Sequence, residues 1–83
     1  MKKQELLKQF DDDLLDKLFG FCYARTNDSY EAEELCSDII FALVKAAHTD
    51  GEITNIYSYI WRVARNVYAD FSSNRRRYAD TFY

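Results

Sequence analysis

Residues 55–77, NIYSYIWRVARNVYADFSSNRRR, decide the fold. Ile56, Tyr59, Ile60, Val63, Ala64, Val67 and Phe71 recur at steps of three and four, which places them on one face of a helix. The same angular step sets Tyr57, Trp61, Arg65 and Tyr68 beside one another, a quarter-turn or more from the centre of that face. Arg62 lies further round, and the segment runs out into Arg75, Arg76 and Arg77. A helix packed into a core needs only the apolar face. The second stripe mixes large rings with guanidinium groups, the combination on which unpaired bases stack and phosphates are held. The plainer alternative is that Tyr57 and Tyr68 pack under the N-terminal helix, which would dissolve half of the stripe.

Outward from this segment the chain is short of breakers. It has no proline, and Gly20 and Gly51 are its two glycines, so an all-α fold is expected. Eighty-three residues suffice for one small domain with a single modest core. The expected architecture is a compact bundle of three main helices plus a short N-terminal helix. No apolar run reaches membrane-spanning length and MKKQELLKQF has no signal-peptide core, so a cytoplasmic protein without membrane association is expected.

Leu6, Leu7 and Phe10 are expected to face inward from the N-terminal helix. Residues 12–25 form the next helix, with Leu15, Leu18, Phe19 and Cys22 on one side and carboxylates 11–13 at its start. Gly20 there points to a close helix–helix approach. After the turn at residues 26–29, Asp28 and Glu31 form a capping box for a helix over residues 30–47. Its core face is Ala32, Leu35, Cys36, Ile39, Leu43 and Ala46. Its opposite face holds Glu34, Ser37, Asp38, Phe41 and Lys45, where an unpacked phenylalanine resembles the anchor of a protein contact. In the loop over residues 48–54, Asp50-Gly51 permits a positive φ, and Thr54 or Asn55 can cap the last helix. Residues 78–83 show no pattern, so about 75–83 are expected to be a linker or a truncated end.

Charge is divided unevenly. Residues 1–54 carry 6 Lys+Arg and 12 Asp+Glu, a net −6, whereas residues 55–83 carry 5 Arg and 2 Asp, a net +3. An acidic body with a basic last helix suits a local nucleic-acid site on one side and a protein partner on the other. Cys22 and Cys36 lie in apolar helical patterns and are expected to be reduced packing residues. His48 has no partner at metal-ligand spacing, and no nucleophile, phosphate-cradling loop or clustered carboxylate set is present. Neither enzyme activity, a metal nor a cofactor is expected.

Two blocks resemble a known family. Residues 31–40, EAEELCSDII, are similar to the D-A-E-D-L-x-Q-E-x-F block of bacterial sigma factors (the sigma-70 family) of the extracytoplasmic-function type. Residues 59–66, YIWRVARN, with Asp70 and Arg75–Arg77, resemble that family's W-L-Y-R-I-A-R-N-x-x-x-D-x-x-R-R block. The family's Trp is Tyr59 here and its Tyr is Trp61; Ser37 replaces a Gln and Ile40 a Phe. The resemblance implies a region 2 bundle that binds the clamp helices of the largest RNA polymerase subunit. It further implies melting of the promoter minus-ten element by capture of the non-template strand. Carried over by position, Glu34, Leu35, Ser37, Asp38 and Phe41 would face polymerase. The loop 49–55, including Thr54 and Asn55, would line a pocket for a flipped base. Tyr57, Ser58, Trp61, Arg62 and Arg65 would meet the melted DNA, with Arg75 and Arg76 as further DNA contacts. The family's usual second domain, a helix-turn-helix, is absent from these residues; either this is an excised domain or the factor lacks upstream recognition.

A competing expectation is a sigma-like module that docks on polymerase or an anti-sigma factor without touching DNA. The two divide on whether Trp61, Arg62 and Arg65 are buried or salt-bridged to the acidic body. Asn66 and Asp70, one turn apart at the core's rim, are expected to make hydrogen bonds that close the bundle.

Overall fold

A computed structural model describes the backbone of residues 2–49 and 51–82 and the side chains of residues 2–49 and 51–73. The chain begins with a 3₁₀ helix (Lys3–Gln9) and continues as α1 (Asp12–Thr26), α2 (Ser29–Ala47) and α3 (Ile56–Phe82). α2 is the centre, packing against α1, α3 and the 3₁₀ helix. At about 1.5 Å per residue the 27 residues of α3 span roughly 40 Å, which sets the 46 Å long dimension.

Local chemistry fixes the ends. The Asp11 carboxylate accepts the Leu14 N–H (2.8 Å) and starts α1. Asn27, in the left-handed conformation (φ 54°), ends α1, its N–H donating to Tyr23 O at 2.8 Å. One residue later the Asp28 carboxylate accepts from the Tyr30 and Glu31 N–H groups, so α2 starts at once. Asn55 Oδ1 accepts the Ser58 N–H (3.0 Å) and caps α3.

Leu6, Leu18, Cys22, Leu35, Ile39, Leu43 and Ile60 are fully buried, with Leu14, Ala32, Ala47, Ile53 and Ala64 around them. Each large aliphatic side chain there stabilises the fold by about 1.5–3 kcal/mol relative to exposure. The expected apolar face of α3 is the observed one. On α1 the face is turned by about one residue: Leu14 is buried, whereas Leu15 and Phe19 are exposed. The core lies between α1 and α2, and the Leu14, Leu18, Cys22 row at four-residue steps points into it. On α2, Ala47 rather than Ala46 completes the buried row.

Four further expectations are corrected. The N-terminal segment is the expected short helix, of 3₁₀ type with Leu6 inward, but Leu7 is exposed rather than inward. Gly20 is exposed with nothing near the place of a Cβ, so no close approach requires it. Asn66 and Asp70 are exposed and lie off the core. α3 continues to Phe82 through the residues expected to be a linker, since residues 74–82 contain neither proline nor glycine to stop it.

Candidate nucleic-acid interface

The loop between α2 and α3 is held at three points. His48 Nδ1 donates to Val44 O (2.8 Å) and Thr49 Oγ1 to Ala46 O (2.7 Å), closing the end of α2. Ile53 is buried and anchors the middle. Gly51, at φ 143°, receives the N-terminal segment: the Lys3 N–H donates to Gly51 O (3.1 Å), and Lys2 and Glu52 form an antiparallel bridge.

Where this loop meets the first two turns of α3 there is a groove of about 540 Å³. Thr54, Asn55, Ser58, Arg62 and Arg65 line it, five of the residues the sequence pointed to. Lys3, Glu52, Ile53 and Tyr59 complete the walls. The Tyr59 ring, read from the sequence as core, is half-buried, with the Arg62 guanidinium 5.6 Å and the Lys3 ammonium 6.0 Å from its centroid. Lys3 left no local signal in the sequence, because only the pairing of residues 2–3 with the loop brings it there. Arg62 and Arg65 are exposed. The groove thus offers three cations, hydroxyls from Thr54 and Ser58, the amide of Asn55 and an aromatic edge, a set able to hold phosphates and base edges.

The expected aromatic stripe does not stay together. Trp61 and Tyr68 are half-buried against Phe21 of α1, with ring centroids 5.5 and 6.5 Å away. Arg25 lies over the Phe21 ring at 3.7 Å and over Tyr68 at 5.7 Å. Tyr57 remains exposed on neither wall of the groove. Part of the stripe therefore joins α1 to α3. Arg75 and Arg76, expected from the resemblance to contact DNA, lie outside the residues whose side chains are described.

On the outer face of α2, Glu34, Ser37 and Asp38 are exposed and Phe41 is 64 % exposed, with Lys45 Nζ 5.4 Å from its ring. Leu35 is corrected: it is completely buried and offers a partner no surface, since it belongs to the row that packs the core. Cys22 and Cys36 are free, buried and within hydrogen-bond reach of one another. Burial pushes the Cys22 thiol up to about 12 and the Cys36 thiol upward, so both stay protonated and unreactive at neutral pH. Among the described residues no helix is long and apolar enough to cross a membrane.

The chain is thus an all-helical bundle with a groove lined by Lys3, Arg62 and Arg65 at the start of one helix and an acidic face around an exposed phenylalanine on another. The family model for Sigma-70 region 2 matches residues 11–78, so this chain belongs to the sigma-70 region 2 family and has a sigma factor's role in transcription initiation. That family's partners are RNA polymerase core and promoter DNA. No curated protein and no solved structure matches the chain.

Proposed function

We propose that this domain is of the extracytoplasmic-function type. In this reading it docks on the polymerase clamp helices through the acidic face of α2 and captures the non-template strand of the minus-ten element in the groove at the start of α3. The observation that carries it is that Thr54, Asn55, Ser58, Arg62 and Arg65, from the cap and one face of α3, line a single groove. Capturing a base costs a few kcal/mol of unstacking, and stacking with charge-assisted phosphate contacts offsets that cost. Glu34, Asp38 and Phe41 supply charge complementarity around an apolar anchor for a clamp helix. Tyr57 and Trp61 do not line the groove, and no contact with the captured strand is assigned to them.

A second reading, docking on polymerase or an anti-sigma factor without DNA, draws on the packing of Trp61 against Phe21. The exposure of Arg62 and Arg65 favours the first.

The test is assembly with polymerase core followed by opening of a promoter. Phe41→Glu is expected to lose core binding. A variant with both Arg62→Ala and Arg65→Ala is expected to keep core binding and lose promoter opening. Unimpaired opening by that double variant overturns the groove assignment.

A further inference from the structure

We propose that Lys3 is a nucleic-acid-binding residue of the groove, supplied by an N-terminal segment that lies before the family match. The inference rests on the groove reading above. The match begins at residue 11, yet residues 2–10 are built into the site. Leu6 is completely buried and anchors the segment on α2. The backbone of residues 2 and 3 pairs with the loop at Gly51 and Glu52.

Gly51 then makes room for the side chain. A Cβ at Gly51 would meet Lys3 Cε at 3.3 Å, Cδ at 3.5 Å and Nζ at 3.6 Å, so the lysine stem lies across the bare glycine. That course carries the ammonium to the Tyr59 ring, where Arg62 approaches as well. Lys3 and Arg62 thus both line the groove beside the same ring, and a phosphate bound in the groove is attracted by both. Lys3 also borders a second recess of about 230 Å³, lined by Lys2, Gln4, Thr49, Gly51 and Glu52. Because the backbone and stem are already held, Lys3 loses less freedom on binding than a solvated surface lysine.

The experiment titrates the full chain against a fluorescein-labelled single-stranded oligodeoxynucleotide over a range of salt concentrations. Lys3→Ala and Lys3→Gln are each expected to weaken binding about three- to tenfold and to lower the salt slope by about 0.7, the value for one phosphate contact on a single strand. Lys3→Arg is expected to restore both, and thermal stability is expected to stay at the wild-type value in all three. Arg62→Ala, run alongside, separates the two claims. Weakening by Arg62→Ala with wild-type affinity and slope in Lys3→Gln overturns the role of Lys3 alone. Weakening by Lys3→Ala but not by Lys3→Gln also overturns it, by making the stem rather than the charge responsible. Wild-type binding by Arg62→Ala and by every Lys3 variant overturns the groove reading itself.

Discussion

On the α1-facing edge of α3, Trp61 and Tyr68 close on Phe21, and Arg25 is laid over the same ring at 3.7 Å. On the opposite edge, Arg62 and Lys3 approach Tyr59 at 5.6 and 6.0 Å and border an open groove. Both edges use rings and cations at helical spacing, so composition does not separate them. What separates them is the neighbour. α1 brings a half-buried phenylalanine against the first edge and turns it into packing surface. A polar loop and a short 3₁₀ helix flank the second, too small to cover it, and its cations stay at the surface.

The contrast can be broken at several points. Ile60→Ala removes a completely buried side chain from the face between the two edges and is expected to cost about 2–5 kcal/mol, read as a lower urea midpoint. Both edges should fail together. Phe21→Ala removes the ring that engages Trp61 and Tyr68 and is expected to cost about 2 kcal/mol, with a red-shifted Trp61 emission as the ring becomes wetter.

The buried thiols between α1 and α2 add a pH dependence. Cys22 ionises near 12 in the folded chain against an ordinary 9.0. Above pH 9 the unfolded chain releases that proton and the folded chain does not, so the unfolded state binds fewer protons and stability falls as pH rises. Urea unfolding at pH 8 and pH 10 should show this loss, and Cys22→Ala should show less of it. The smallest expected effect is a gain: Gly20→Ala, at an exposed mid-helix glycine with open space around it, should stabilise by about 0.5–1 kcal/mol by thermal melting.

Much of this was legible in the sequence. The three-and-four spacing over residues 56–71 gave the core face of α3, and the scarcity of glycine and proline gave an all-helical chain. Asp28 was legible as the cap of α2, with Glu31 as its partner; that its carboxylate also accepts the Tyr30 N–H was not. The phase of α1 was not, because leucine or phenylalanine occupies positions 14, 15, 18 and 19, and only the position of α2 decides which pair is buried. The site was half legible: Arg62 and Arg65 lie on the polar side of their own helix, a local property. The engagement of Trp61 by Phe21 and the arrival of Lys3 are contacts between distant segments, and periodicity carries no information about them. Leu35 is the opposite case: its spacing placed it on the core face, where it is, and the carry-over from the family motif placed it wrongly toward a partner.

The most direct measurement compares the two edges in one experiment: single-stranded DNA affinity and unfolding free energy for Phe21→Ala and for the Arg62→Ala, Arg65→Ala double variant. The account predicts that Phe21→Ala loses stability and changes DNA affinity little. The double variant should lose affinity at least tenfold, with a salt slope lower by about 1.4, and keep its stability. The reverse pattern, DNA affinity lost with Phe21 and unchanged without the two arginines, would contradict it.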